Sequence, residues 1–409
     1  MRKVFVLAAV LALAACAGRP HGVLKPIGAR PPQANEVSIL VATTRSEKGA
    51  GPGEMFSGER GDAPSFAEIS VSIPPDGARQ IGEVQWPQGE TPDPAREFAT
   101  VRAEVLSREA AVARFDARIA NTPKRHALVF VHGFNTRFEE AVYRFAQIVH
   151  DSRAPALPVL FTWPSRGKLL EYTYDHESAN FSRDSLENLL RALDRDKNVG
   201  EISILAHSMG NWVTMEALRQ MAIRDKGLAP KIRNIMLAAP DVDYDVFQRQ
   251  IAQIGAKPSL FTIFVSRDDQ ALATSKRVWG DKVRLGAVDP EKEPVRDQLA
   301  REKINVVDLT GVESGDRLGH GTFAEAPAVV RSIGLRLSQG QTLADSQAGV
   351  GDRVGAVATG AAGAVGGAAG VAVSLPISVI DPRTRENLGD RVEDVGARIG
   401  DTVNGATGR

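Results

Sequence analysis

The stretch Ala206-His207-Ser208-Met209-Gly210 lies between an apolar run at residues 201–206 and an amphipathic segment that extends to about residue 223. A serine at the junction of a buried strand and a helix, with small residues two positions before and after it, is typical of a nucleophile elbow. Such a turn lifts the serine hydroxyl above the sheet, and the small neighbours keep the strained backbone free of clashes. Ala206 replaces the usual glycine, a difference of one methyl group. We predict that Ser208 is a catalytic nucleophile; the competing interpretation is a chance occurrence of a short pattern.

Strand-like apolar runs alternate with amphipathic helical segments on both sides of this stretch. Besides residues 201–206, the runs lie at residues 37–43, 66–73, 127–131, 159–163, 232–238, 260–265 and 304–309. Alternation of this kind predicts a mainly parallel sheet covered by helices on both faces. Together with the elbow, it predicts an α/β fold of the α/β-hydrolase class.

Some of the helices carry distinct sequence signals. Thr136, with Glu139 three residues later, predicts a capping box at the start of the helix after residues 127–131. Leucines at helical spacing predict the buried face of another helix, and they are Leu186, Leu189, Leu190 and Leu193. Residues 164–181 are predicted to form a polar and aromatic connection before that face. A helix at residues 328–337 is predicted to close the domain.

His320 is the predicted general base. A serine hydroxyl is a poor nucleophile at neutral pH, so it needs an adjacent base. The order along α/β-hydrolase chains is serine, acid and histidine, and His320 is the only histidine after Ser208. It lies in a glycine-flanked loop after the last predicted strand; the alternative is a surface histidine without a role. We interpret His132 and His207 as residues that shape their turns rather than transfer protons.

The acid of the triad is expected in a loop at the end of a strand. Asp269, after residues 260–265, is our first choice, and Asp268 beside it is a close rival. Asp241, after residues 232–238, is a further alternative because some lipases place the acid there. Each of these carboxylates has a competing interpretation as a helix cap or a loop residue.

Two backbone N–H groups are expected to stabilise the oxyanion. One belongs to Met209, directly after the nucleophile, and the other to Phe134, because Gly133 lets the backbone approach closely. Asn135 holds this loop in shape, or is simply part of a turn. The sequence contains no metal-ligand cluster, Rossmann fingerprint or phosphate loop, so we expect no cofactor.

The N-terminal residues predict export and lipid attachment. A basic start, Met1-Arg2-Lys3, precedes an uncharged run at residues 4–15, which is short of the roughly 20 residues that cross a bilayer. Leu13-Ala14-Ala15-Cys16 is similar to the lipobox of bacterial lipoproteins, in which the cysteine is acylated. We therefore expect Cys16 to be lipidated; an ordinary signal peptide with a chance cysteine is the alternative.

The domain organisation follows from composition. We expect a lipoprotein signal peptide at residues 1–16, a tether at 17–36, the hydrolase domain at 37–337 and a Gly/Ala-rich low-complexity tail at 338–409. The tail is interpreted as flexible and dispensable for catalysis; a membrane-associated hairpin is the minority interpretation. Lysine plus arginine and aspartate plus glutamate number 50 each, so no net charge favours nucleic acid as a partner.

Several stretches in combination resemble a bacterial α/β-hydrolase family of unknown function. They are residues 129–135 (VFVHGFN), 161–165 (FTWPS), 206–211 (AHSMGN), 239–241 (APD), 42–45 (ATTR) and 71–74 (VSIP). The resemblance extends from about residue 37 to about residue 337. It implies hydrolase chemistry without naming a substrate. It also implies that the acid is the second aspartate of Asp268-Asp269-Gln270-Ala271-Leu272, which favours Asp269.

The leading functional hypothesis is a serine esterase or lipase-like hydrolase that acts on a small-molecule or lipid ester through an acyl-enzyme. It would be anchored in the bacterial envelope by its lipid, at the periplasmic face of the outer membrane rather than the inner one. The alternatives are an inactive envelope binding or scaffold protein, and an acyltransferase. Few residues separate Asp241 from the next strand, so we expect an open site. Trp163, Tyr172 and Tyr174 are candidates to line it, and a role in packing or a surface position is the equal alternative. The sequence gives no oligomeric state.

Overall fold

The computed structural model describes residues 21–28, 32–255, 260–278 and 281–339. The described strands are β1 (Asn35–Arg45), β2 (Arg60–Ile73), β3 (Ala99–Leu106), β4 (His126–Val131), β5 (Leu157–Thr162), β6 (Glu201–His207), β7 (Ile232–Ala238), β8 (Phe261–Val265) and β9 (Asn305–Asp308). The described α-helices are α1 (Arg108–Ile119), α2 (Phe138–Ser152), α3 (Tyr172–Arg195), α4 (Gly210–Asp225), α5 (Tyr244–Ile254), α6 (Gln270–Val278), α7 (Val295–Arg301), α8 (Thr322–Glu325) and α9 (Pro327–Gln339).

The described strands form one sheet in the order β3-β2-β1-β5-β4-β6-β7-β8-β9. From β1 to β9 along this order every neighbouring pair is parallel, whereas β2 is antiparallel to both β1 and β3. This mainly parallel arrangement confirms the predicted α/β fold class. Because parallel strands end at the same edge, the loops after β4, β6, β8 and β9 meet at the carboxyl edge, where α/β proteins place their sites.

Helices cover both faces of the sheet, and each face has its own core. On one face, Leu128 and Phe130 of β4 pack with residues of α2 and α9. On the other, Val129 and Val131 pack with residues of α1, α3, α4 and α5. The alternation along β4 explains the apolar run at residues 127–131, because a strand buried on both faces places nearly all of its side chains in one core or the other.

Strand β3 was not among the strands expected from the sequence. Its outward positions carry charges at Arg102 and Glu104, and it pairs only with β2 at the edge of the sheet. An edge strand with one solvated face has few apolar residues, so it lacks the apolar run that identified the central strands.

The predicted capping box at Thr136 and Glu139 is wrong. Helix α2 begins at Phe138, and the Glu140 carboxylate accepts a hydrogen bond of 2.8 Å from the Arg137 N–H. The Thr136 hydroxyl instead donates to the Phe134 carbonyl oxygen. Glu139 and Glu140 are adjacent, and the spacing from Thr136 assigned the capping role to Glu139.

Two boundaries also differ from expectation. Helix α3 begins at Tyr172, so the second half of the connection predicted at residues 164–181 is helical. Helix α9 starts one residue before the predicted closing helix and extends to Gln339; its Leu337 is buried. The last turn of α9 therefore belongs to the packed domain.

Part of the stretch expected as a tether packs on the domain. Leu24 is buried, and its N–H donates to the Gly53 carbonyl oxygen at 2.9 Å. The Ile27 N–H donates to the Thr100 carbonyl oxygen at 2.8 Å. The described domain thus begins before residue 37, because an apolar side chain and backbone bonds hold this stretch in place. Cys16 and residues 340–409 of the tail lie outside the described residues. No described helix has the length and apolar character needed to cross a bilayer.

Candidate active site

Ser208 stands in a strained turn between β6 and α4. Its φ angle is 52°, in the left-handed region that residues with a side chain rarely adopt. The Ser208 N–H donates to the Ala238 carbonyl oxygen at the end of β7, at 3.0 Å. The residue is 4% exposed. This is the backbone geometry that a nucleophile elbow requires.

Asn211 fastens the turn from the first turn of α4. Its Nδ2 donates to the carbonyl oxygens of Ser208 at 2.9 Å and of Ala238 at 3.0 Å. The Ser208 carbonyl also accepts the N–H of Asp241 at 3.2 Å. Sequence reasoning quoted Asn211 only as part of a motif. An amide three residues after the nucleophile is the signal that could have pointed to this role.

The loop after β4 lies directly against the elbow. A Cβ added to Gly133 would lie 2.7 Å from the Ser208 Cβ and 3.0 Å from the His207 Nδ1. A Cβ added to Gly210 would lie 2.3 Å from the His132 carbonyl oxygen. Such distances are below any ordinary contact, so the absence of side chains at both glycines lets the two segments meet. The expected oxyanion loop and the expected nucleophile are therefore neighbours.

Asp269 and His320 form a direct pair. The Asp269 Oδ2 lies 2.6 Å from the His320 Nδ1, and the carboxylate is fully buried while the imidazole is 16% exposed. The two residues belong to the loops after β8 and β9, which the Gln270 N–H joins by donating to the Leu318 carbonyl oxygen at 2.9 Å. A carboxylate on Nδ1 fixes a proton there and leaves Nε2 as the basic nitrogen.

The pKa of His320 is raised above its ordinary value of 6.5. Burial of the ring acts against this and would lower the pKa, but the Asp269 hydrogen bond and charge outweigh it, with smaller contributions from the charges of Asp241 and Asp316. An imidazole with a raised pKa is a stronger base, as proton abstraction from a hydroxyl requires.

The family model described as "Alpha/beta hydrolase of unknown function (DUF900)" matches residues 107–336. The chain belongs to this family. This finding confirms the resemblance drawn from the motifs, and it agrees with the sheet order.

Individual relatives of this DUF900 chain add little about function. It is 22% identical over 302 residues to the uncharacterized protein alr1448 of Nostoc sp. (strain PCC 7120), covering 53% of this chain and 75% of that protein. It is also similar to a chain from a structural analysis of two fungal esterases from Rhizomucor miehei. The two chains are 12% identical in sequence, and the match covers 80% of this chain and 87% of the other. The TM-score is 0.29.

Asp268 has a different partner from Asp269. Its carboxylate is exposed and accepts the Gly311 N–H at 2.9 Å, which ties the loop after β8 to the loop after β9. Of the two adjacent aspartates in this α/β-hydrolase, Asp269 points to the histidine and Asp268 points to the backbone.

Asp241 is enclosed in a separate polar cluster. One of its oxygens accepts the Tyr172 hydroxyl at 2.6 Å, and the other accepts the Ser275 hydroxyl at 2.6 Å. The buried Arg284 forms an ion pair with it, Nε to Oδ1, at 3.2 Å. Asp241 therefore fixes the elements around the site, and the structure brings Asp269 rather than Asp241 to His320.

Asp316 organises the loop that carries the histidine. Its Oδ2 accepts the N–H groups of His320 at 2.7 Å and Gly321 at 2.8 Å, and its Oδ1 accepts that of Leu318 at 2.9 Å. Sequence reasoning did not identify this residue. An aspartate that precedes Gly-His-Gly by a few positions is a recognisable loop pattern, because short carboxylates bond to backbone N–H groups just after them.

The two other histidines near the elbow are buried and have lowered pKa values. The His207 Nε2 donates to the His320 carbonyl oxygen at 3.2 Å, and burial lowers its pKa well below 6.5. Burial, with the charge of Arg45, lowers the pKa of His132 to about 3. The His132 Nε2 lies 3.2 Å from the Trp163 N–H. Neutral, fixed imidazoles of this kind hold turns in place.

Two of the three aromatic residues expected to line the site lie elsewhere. Trp163 is fully buried and stacks on His132, with ring centroids 4.9 Å apart. Tyr174 packs under the Arg166 guanidinium, 3.6 Å from its ring centroid. Tyr172, by contrast, contacts the ring of Phe134 at 4.9 Å between centroids, and so adjoins the loop after β4.

Met209 and Phe134, the predicted oxyanion donors, lie on the two segments that meet at Gly133 and Ser208. Met209 is the N-cap residue of α4, where backbone N–H groups have no partner within the helix. Phe134 follows Gly133 in the loop that touches Ser208. Asn135 holds that loop: its φ is 56°, and its N–H donates to the Asp175 carboxylate at 3.2 Å.

One group of described residues could hold a cation. His21, Glu54 and Glu139 bring one ligand atom each within 4.8 Å of one another. None of the three belongs to the elbow, to the Asp269–His320 pair or to the loop of Asp316.

Proposed function

We propose that this α/β-hydrolase is a serine hydrolase of carboxylic esters that works through an acyl-enzyme. The observation that carries the proposal is the buried Asp269–His320 hydrogen bond at the sheet edge that also presents Ser208 in an elbow. A buried carboxylate bonded to Nδ1 of a histidine with a raised pKa, at the edge that also carries a strained serine, supplies the residue types of a catalytic triad.

In the proposed reaction His320 Nε2 takes the proton of the Ser208 hydroxyl as its oxygen attacks the ester carbonyl. Asp269 keeps the imidazole oriented and stabilises its positive charge. The N–H groups of Met209 and Phe134 donate to the oxyanion of the tetrahedral intermediate. His320 then gives its proton to the leaving alcohol, and water attacks the acyl-enzyme by the same steps to release the acid and restore Ser208.

A serine-reactive fluorophosphonate probe tests the nucleophile directly. The parent protein should be labelled, and Ser208→Ala should not be. Ser46→Ala, outside the site, is the control and should be labelled like the parent. A folded parent that takes up no probe and hydrolyses no ester would instead support the alternative of an inactive envelope binding protein.

Acyl transfer is the second candidate because it shares the acyl-enzyme. The two reactions differ only in what accepts the acyl group, water or an alcohol. Product analysis with and without an added alcohol separates them: a new ester that forms in preference to free acid would replace hydrolysis with transfer.

We also propose that Cys16 carries a lipid that holds the protein in the bacterial envelope, at the periplasmic face of the outer membrane. The proposal rests on the lipobox-like sequence before Cys16, which is the only cysteine of the chain. Radiolabelled palmitate should be incorporated into the parent and into Ser208→Ala, but not into Cys16→Ser. Equal labelling of Cys16→Ser and the parent would end this idea.

A further inference from the structure

Two consecutive leucines at the carboxyl edge of the sheet are unusually exposed. Leu169 is 73% exposed and Leu170 is 100% exposed, the two highest values among the large apolar side chains of the described residues. They lie in a short 3₁₀ turn, Leu169–Glu171, between β5 and α3. Single exposed leucines are common, but an adjacent pair held out by an ordered turn marks a contact surface.

This pair lies at the same edge of the sheet as the candidate active site. The next residue but one after Leu170 is Tyr172, whose ring contacts Phe134 of the predicted oxyanion loop at 4.9 Å. On the other side, Leu318 is 52% exposed and stands two residues before His320. Apolar side chains therefore project from the same edge as the triad.

The N-terminal end of the described chain reaches this edge as well. His21 lines a cavity of about 430 Å³ together with Lys168 and Glu171, which flank the two leucines. Cys16 precedes His21 by five residues, and five residues of fully extended chain span at most about 18 Å. A lipid on Cys16 would thus be held within about 18 Å of His21, which shares a cavity with the residues that flank Leu169 and Leu170.

We propose that Leu169 and Leu170 insert into the surface of the bilayer that holds the Cys16 lipid, so that the triad faces the membrane and takes its ester from membrane lipids. This inference rests on the proposed lipidation and hydrolase activity. Apolar side chains that enter the bilayer add to the attachment by the Cys16 lipid and fix which side of the domain faces the membrane. Lys168, exposed beside the leucines, is suited to the phosphates of lipid headgroups while the leucines occupy the acyl boundary.

An environment-sensitive fluorophore tests insertion without reference to activity. A lipid blocks the thiol of Cys16, so Leu170→Cys in the full lipidated protein offers a single site for a maleimide dye. On phosphatidylethanolamine and phosphatidylglycerol vesicles, the dye at position 170 should shift to shorter wavelength and be quenched by doxyl-labelled lipids. Ile223→Cys is the matched control: Ile223 is 50% exposed but lies near the far end of α4 from the elbow.

Equal quenching at positions 170 and 223 would overturn the proposal. A dimer in detergent that buries the dye at position 170 would also overturn the proposal, because a second copy of the chain would then cover the leucines. Light scattering detects such a dimer.

Activity provides a second arm. We expect Leu169→Ser/Leu170→Ser to lower the ratio of bilayer-ester to soluble-ester hydrolysis by at least roughly tenfold. Each substitution removes the favourable free energy of burying one leucine side chain, which by itself corresponds to more than a tenfold change in binding. An unchanged ratio would contradict the proposal. If the parent hydrolyses no ester while position 170 is still quenched, the hydrolase proposal fails and the membrane contact stands.

Discussion

The Oδ2 atom of Asp269 lies 2.6 Å from the Nδ1 atom of His320, although 51 residues separate the two in sequence. This distance ranks the three candidate acids. Asp269→Asn should lower kcat by roughly 10⁴-fold on any ester found, because the amide favours the wrong tautomer of the imidazole.

Its rivals serve as matched controls. Asp268→Asn should change kcat by no more than about threefold, as for an exposed loop residue. Asp241→Asn should act on stability, since it leaves Arg284 buried without its charge partner, at a cost of about 3 kcal/mol. Steady-state kinetics and thermal melts of all three variants check this; a crippled Asp241→Asn beside a near-normal Asp269→Asn would move the acid to the loop after β7.

The pH dependence of kcat/KM should report the raised pKa of His320. Only neutral imidazole can accept the Ser208 proton, so the rate should rise with pH and level off above a midpoint higher than 6.5. Asp269→Asn removes the main interactions that raise the pKa, so burial should then dominate and move the titration of the ring to lower pH. Kinetics of the parent and NMR titration of His320 in both proteins measure this. A parental midpoint at or below 6.5 would disagree with the structure.

Gly133→Ala should damage the site because the new methyl group would meet the Ser208 Cβ at 2.7 Å. The loop or the elbow must move by more than half an ångström, which is enough to displace an oxyanion donor. We expect kcat to fall by about 100-fold, comparable to losing one such donor. Gly89→Ala, where a Cβ would have nothing within 4 Å, is the control and should keep the parental rate. Parental kinetics for Gly133→Ala would mean that the loop has no part in catalysis.

Asp316 acts as a positioning residue through the His320 loop. Asp316→Ala removes the acceptor of three backbone N–H groups, and we expect kcat to fall by about 10- to 100-fold as the imidazole loses its fixed place. Asp316→Asn keeps an acceptor oxygen and should recover much of kcat. Both variants lose the charge, so both should lower the midpoint of the kcat/KM profile. If the two variants were equally impaired, the backbone bonds would not be the cause.

Acid stability should depend on His126, a buried residue bonded to the Ser203 hydroxyl at 2.8 Å. Burial lowers its pKa from 6.5 to about 4 in the folded protein. The unfolded chain therefore binds one more proton between these values, and this residue's contribution to stability is lost as pH falls from 6.5 towards 4. In His126→Gln, the slope of unfolding free energy against pH should be smaller by about 1.4 kcal/mol per pH unit in that window. Denaturant melts at several pH values test it; identical slopes would contradict the lowered pKa.

The central strands were predictable from sequence because burial on both faces leaves mostly apolar segments, as in β4 and β6, although β7 also carries Arg233 and Asn234. Charges at alternate positions hid β3 at the edge. The elbow was predicted from a short local sequence, and His320 from its position after Ser208 in the chain. Each of these two predictions depends on only a few residues. Asn211 and Asp316 were missed because their partners are backbone atoms, which any sequence supplies. The sequence pattern also could not decide whether Glu139 or Glu140 caps helix α2. The two residues are adjacent, so the two choices differ only by one residue in where the helix begins.

The positions of β8 and β9 in the sheet have a consequence for how the protein withstands heat. The proposed base, His320, follows β9, a four-residue strand at the end of the sheet, whereas the proposed nucleophile, Ser208, follows β6 near its centre. Short edge elements open with less free energy than a core does. Fraying at this end would separate His320 from Ser208 while the rest of the fold stays intact, so inactivation on warming can be local and reversible, well below the temperature at which the molecule melts.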